Sequence, residues 1–196
     1  MEEIRLMKKD GLLVIGGSAG SLDVLLKVLP EVNQHLNFAI IIVIHRKQGT
    51  DSLLTDLLAH RTQLSVKEAD EKEKLENGKV YIAPSDYHLL IEKDFTFSLD
   101  YSEKVNYSRP SIDVTFQSAA DAFGENLVCL LLSGSNADGV NGLISVKKNG
   151  GTTWAQSPES AQVSYMPEQA ILRANVSAVL KIEEMAKYIN SLAANN

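Results

Sequence analysis

The chain has 196 residues, 44% of them hydrophobic and 22% charged, with a net charge of −6. That length suits one domain with a sizeable core, and no apolar run reaches the ~18 residues that would cross a membrane. The acidic balance and missing basic stripe argue against a nucleic-acid binder, the mixed charges of MEEIRLMKKDG do not read as a secretory leader, and a lone Cys129 excludes an internal disulfide. The expected compartment is the cytoplasm.

Three short, nearly continuous apolar runs, Leu12–Ile15, Phe38–Ile44 and Leu127–Leu132, read as strands buried on both faces of a parallel sheet. Between the first two, SLDVLLKVLP places Leu22, Leu25, Leu26 and Leu29 at helical spacing and stops at Pro30, which makes a right-handed βαβ unit. Further along, Asp51–Ala59 reads as a helix, and Gln63–Val66 and Lys79–Ala83 as short strands. His88–Glu92 and Thr96–Asp100 form a hairpin, and Ile112–Phe123 a helix. After the Leu127 strand come a helix over Val140–Lys148, a strand over Thr152–Ala155, a short helix over Pro167–Leu172, a strand over Val176–Leu180 and a last helix over Glu183–Leu192. The charge run KEADEKEKLE at 67–76 reads as solvated surface. The expected fold is a three-layer α/β/α single domain over 1–196, a mainly parallel doubly wound sheet with an antiparallel hairpin.

Ligands in such sheets sit outside the carboxyl ends of the strands, so the residues that follow each strand carry the functional question. After the first strand comes Gly16-Gly17-Ser18-Ala19-Gly20-Ser21, which contains the G-x-S-x-G pattern of a nucleophile on a sharp strand-to-helix turn. Helix N-terminal amides there could stabilise an oxyanion. The same loop also fits a phosphate cradle, or a plain turn with Ser18 as a helix N-cap. A serine hydroxyl needs a base. Of the four histidines, His45 alone follows a strand at the same edge as Ser18. His35 reads as a surface residue, His60 as a helix-end residue and His88 as a structural residue or one flanking the site. The loop after CLLL holds one carboxylate, Asp138, which fits either the orienting acid of a triad or an ordinary N-cap. The candidate catalytic set is Ser18, His45 and Asp138. No spacing suggests a metal site, and Cys129 reads as a core residue.

The segments VIGGSAGS, KVYIAPSDYHLLIE, RPSIDVTFQSAADAFG, LLSGSNADGVNGL and GGTTWAQSPESAQVSYMPEQAI, in that order, resemble the catalytic domain of the chemotaxis protein-glutamate methylesterases (the CheB family) from about Leu12 to Leu180. The resemblance places the family's serine, histidine and aspartate at Ser18, His45 and Asp138. It implies hydrolysis of glutamyl methyl esters on the cytoplasmic helices of a chemoreceptor or another methylated signalling protein, with glutamine deamidation as a second activity and no cofactor. It implies oxyanion donors near Ala19 and in the Ser133–Asn136 loop.

Three departures stand out. The family's N-terminal receiver domain is not expected here, because the first catalytic strand starts about eleven residues in. The histidine context is Ile44-His45-Arg46-Lys47 where the family has Gln-His-Met/Leu-Pro. Ala19 replaces a common Thr, and a TGMG-type loop reads Ser133-Gly134-Ser135-Asn136. These leave room for an esterase acting on a different carboxyl ester, and the rival class is a non-catalytic receptor-binding module on the same fold. A monomer without nucleic-acid partner or membrane insertion is expected.

Overall fold

A computed structural model of the chain describes residues 10–45 and 51–193. In chain order the strands are β1 (Gly11–Gly17), β2 (Phe38–Ile44), β3 (Ser65–Glu68) and β4 (Lys79–Ile82), then β5 (His88–Ile91) and β6 (Phe97–Asp100), then β7 (Leu127–Leu131), β8 (Thr152–Gln156) and β9 (Ala178–Leu180). Seven of them form one sheet in the order β3-β4-β2-β1-β7-β8-β9, every pairing parallel, while β5 and β6 make a separate antiparallel hairpin.

The apolar runs of β1, β2 and β7 are buried at every position, which is what strands covered on both faces require. Alternate side chains leave the sheet on opposite sides. Leu13, Ile15, Ile40 and Ile42 meet α1 (Ser21–Val28), α2 (Asp51–Ala59) and α6 (Ile182–Ser191). Leu12, Val14, Ile41 and Val43 meet the hairpin together with α3 (Ile112–Phe123), α4 (Val140–Lys148) and α5 (Tyr165–Ala174). The result is the three-layer arrangement the sequence predicts. Each fully buried aliphatic side chain contributes roughly 1.5–3 kcal/mol relative to exposure, so the two cores, rather than the short helices themselves, hold the layers together.

Element ends differ from the sequence reading where a neighbour decides them. β1 runs on through Gly16 and Gly17 because Gly16 has no side chain: a Cβ there would lie 2.4 Å from Ile112 Cγ2, and its absence lets α3 lie against the strand. The edge strands β3 and β9 are set by register, Ser65 opposite Lys79 and Ala178 opposite Trp154, so they start two residues later than the apolar pattern suggests. α5 extends beyond Pro167–Leu172 at both ends.

Strand order reverses at β1. From it the chain moves to β2 on one side and later returns to β7 on the other, so the crevice beyond the carboxyl ends of β1, β2 and β7 is the switch point. Ser18, His45 and the 132–138 loop all emerge there.

Candidate active site

Ser18 occupies a tight turn between β1 and α1. The turn closes through Gly20, whose φ of +82° suits glycine and which leaves no room for a side chain: a Cβ would meet Gln162 Cβ at 2.7 Å and Ser133 Oγ at 2.8 Å. Gly20, not Ser18, is the N-cap of α1, so the plain-cap reading of the serine does not hold. Instead the backbone of Ser18 is tied down. Its N–H donates to Ser133 O (2.9 Å), and its carbonyl accepts from Ser21 N (3.0 Å) and Ser21 Oγ (2.6 Å). The His45 N–H donates to Gly17 O (3.2 Å), which fixes the half-buried histidine beside the serine turn.

Asp138 is fully buried and is the most heavily bonded side chain of the site. Its Oδ2 accepts from His45 Nε2 (2.7 Å) and Ile112 N (2.7 Å). Its Oδ1 accepts from Asn106 Nδ2 (2.8 Å), Ser111 Oγ (2.9 Å), Asp113 N (3.1 Å) and Gly139 N (3.1 Å). The N-cap alternative is therefore half right. Asp138 precedes α4, whose N-cap is Gly139, yet its carboxylate caps the start of α3 as well as holding the imidazole. Asp113 returns the favour from α3: its Oδ1 accepts from Gly142 N in the first turn of α4 (2.6 Å). Each helix start is closed by a carboxylate carried at the start of the other, favourable for both charges and dipoles.

The two carboxyls titrate in opposite directions. Burial pushes Asp138 upward, but the hydrogen bonds from His45, Asn106 and Ile112 N outweigh it and hold the acid below the ordinary carboxylate range. Burial pushes Asp113 up, the charge of Asp138 adds to the rise, and the bonds from Gly142 and Asn106 offset only part of it. An ionised Asp138 can only accept, so this bond calls for the proton on His45 Nε2.

On its other side the site is apolar. Ser18 and His45 line a pocket of about 340 Å³ with Leu22, Leu53, Leu54 and Leu57. The expected oxyanion donors narrow. Ser133 N donates to Gln156 Oε1 (2.9 Å) and Gly134 N to Val163 O (3.1 Å), so neither is available. The amides of Ala19, Ser135 and Asn136 have no acceptor among the described residues. Arg46 lies outside the described residues.

The other histidines fall where the sequence places them. His35 is exposed, and His60 Nδ1 bonds Asp56 O (2.6 Å) at the end of α2. His88 is structural: Nδ1 accepts from Ser111 N (3.1 Å) and Nε2 donates to Glu103 O (2.9 Å), which steadies the serine that in turn bonds Asp138. Cys129 is buried in β7, where burial pushes its thiol up and leaves it inert. Sequence reasoning missed Asn106, Ser111 and the leucine wall. Ser111 before an apolar-periodic segment is a readable N-cap signal, but nothing in the sequence ties it to Asp138.

The site sets an acid–imidazole pair beside a serine turn, at the switch point of a parallel α/β sheet. The CheB methylesterase family model matches residues 13–189. The crystal structure of the Thermotoga maritima CheB methylesterase catalytic domain superposes with a TM-score of 0.91 at 31% identity, over 95% of this chain and 100% of that one. A Leptospira interrogans protein, named provisionally as a protein-glutamate methylesterase/protein-glutamine glutaminase, is 41% identical over 94% of this chain and 95% of its own length. A Methanosarcina acetivorans protein-glutamate methylesterase/protein-glutamine glutaminase is 34% identical over 96% of this chain and 56% of its own length, so this chain spans about half of that relative. The chain belongs to the CheB methylesterase family.

Proposed function

We propose that the chain is a protein-glutamate methylesterase that works through Ser18, His45 and Asp138. The observation that carries the reading is the 2.7 Å bond from His45 Nε2 to the buried Asp138, beside the serine turn. Ser18 Oγ attacks the ester carbonyl while His45 Nδ1 takes its proton. The oxyanion of the tetrahedral intermediate meets the amides of Ala19, Ser135 or Asn136, which have no acceptor among the described residues. Collapse breaks the bond to methoxide, which leaves as methanol with the proton returned by His45. Water, deprotonated by the same nitrogen, then releases glutamate from the acyl-enzyme. Asp138 keeps Nε2 protonated and stabilises the imidazolium in both halves.

With ammonia as the leaving group the same steps deamidate a glutamine. The names of the relatives, which join both activities, support this. The substrate would be a methylated chemoreceptor or another methylated signalling protein in the cytoplasm, with the chain acting as one catalytic domain and as a monomer. Among the described residues no helix is long and apolar enough to cross a membrane.

Methanol release from methyl-labelled receptor membranes tests the reading. The wild-type chain releases methanol, and Ser18→Ala lowers the rate by roughly a thousandfold or more while remaining folded. Equal release by both, or release by neither, contradicts it.

A further inference from the structure

We propose that Asn106 is a positioning residue for the His45–Asp138 pair, pinning the Asp138 carboxylate and separating it from the second buried acid, Asp113. The proposal rests on the hydrolase reading of this site.

Asn106 and Tyr107 are the two central residues of a tight hairpin turn. Val105 N donates to Ser108 O (3.2 Å) and Ser108 N to Val105 O (2.9 Å), and φ is +51° at Asn106 and +63° at Tyr107. Asn visits this left-handed region readily, whereas a bulky Tyr does so at a cost. Tyr107 is 98% exposed, so no burial of its ring offsets that cost. What the turn gains lies on its inward side. Asn106 Nδ2 donates to Asp138 Oδ1 and to Asp113 Oδ2, each at 2.8 Å. One amide therefore spends its two hydrogens on two carboxyls, and backbone strain accompanies the arrangement, as it does at working sites.

The need for such a group follows from the charges. Two carboxyls lie within reach of one nitrogen, and among the described residues neither pairs with a Lys or Arg. Facing them are His45 from the end of β2, the N–H groups of Gly139 and Gly142 from the α4 side, and Ser111 at the start of α3, with His88 of β5 behind it. Asn106 is the side chain that donates to both acids, beside the Gly139 N–H, which also bonds both. Without it, the two acids lose the side-chain amide that bridges them and share only that backbone donor, and Oδ1 loses one of the bonds that keep Oδ2 aimed at the imidazole.

Asn106→Gly tests this, because glycine fits the left-handed turn and only the amide is lost. Tyr107→Gly is its partner, since it relieves the turn and keeps the amide. Two readouts serve: hydrolysis of p-nitrophenyl acetate, with Ser18→Ala defining turnover from this site, and the downfield proton NMR resonance of His45 Nε2–H. Expected for Asn106→Gly is a fall in kcat of about tenfold with KM unchanged, and a shifted or broadened resonance; Tyr107→Gly keeps wild-type values. An Asn106→Gly chain with wild-type kcat and resonance, whatever its melting temperature, overturns the proposal and leaves Asn106 a structural cap. Equal losses in both variants also overturn it, since the backbone turn and not the amide would then be responsible. Should the wild type show no Ser18-dependent turnover, the hydrolase reading fails, and the resonance still decides whether Asn106 positions the pair.

Discussion

The two sides of the site are built on opposite plans. On the α3/α4 side everything is committed: Asp138 is fully buried, and six donors converge on its two oxygens. On the α1/α2 side Ser18 looks onto leucines, one of which, Leu53, is 71% exposed. The difference separates a preorganised half, where on the proposed mechanism a displaced bond would cost catalysis, from an open half with room for apolar parts of a substrate. The same division matches the two cores, since the acid belongs to the α3, α4 and α5 layer and the leucine wall to the α1, α2 and α6 layer.

The comparison breaks most visibly at Asp138. Asp138→Asn removes the charge that stabilises the imidazolium and leaves donors facing an NH2 group, so kcat is expected to fall by about a thousandfold or more. It also weakens the start of α3 by ~1–3 kcal/mol, visible in urea unfolding. A variant with near-wild-type kcat would show that the committed half is structural only.

A smaller effect belongs to the open half. Leu53→Ala is expected to raise KM for a protein substrate a few-fold, with kcat unchanged and stability within ~0.5 kcal/mol, because the side chain is largely solvated in the free chain. An unchanged KM would remove the leucine wall from substrate binding.

The smallest effect lies within the committed half, where the two capping acids carry opposite linkage. The folded-state value of Asp138 is depressed, so its stabilisation is present above the ordinary carboxylate range and is lost as pH falls through the depressed value. The value of Asp113 is raised, so the wild type gains stability relative to a non-titrating variant as pH falls through that raised value. Urea unfolding across the acid range should therefore show the gap between wild type and Asp138→Asn closing toward low pH. The gap between wild type and Asp113→Asn should move in favour of the wild type. Parallel slopes would refute the opposite assignments.

Much of this was legible in the sequence, for physical reasons that differ by element. β1, β2 and β7 announced themselves because strands buried on both faces must be continuously apolar. Ser18, His45 and Asp138 could be read together because Ser18 and His45 directly follow such strands and Asp138 lies in the loop after a third, and strand ends on one sheet edge are neighbours whatever the intervening chain does. The edge strands β3 and β9 were misplaced by two residues because their limits come from pairing register, to which hydrophobicity is blind. Asn106 and Ser111 stayed hidden because their partner Asp138 is 32 and 27 residues away, and an Asn in a turn or a Ser before a helix fits any protein. The reciprocal capping of α3 and α4 is a tertiary feature with no local sequence signal.

The central claim is that Ser18 is a nucleophile activated by His45 and Asp138. Trapping it with a fluorophosphonate, followed by peptide mass spectrometry, tests this most directly. The account predicts a single adduct on Ser18, formed far more slowly in His45→Gln and Asp138→Asn chains that remain folded. An adduct on another residue, no adduct on the folded wild type, or equal labelling rates in all three chains would contradict it.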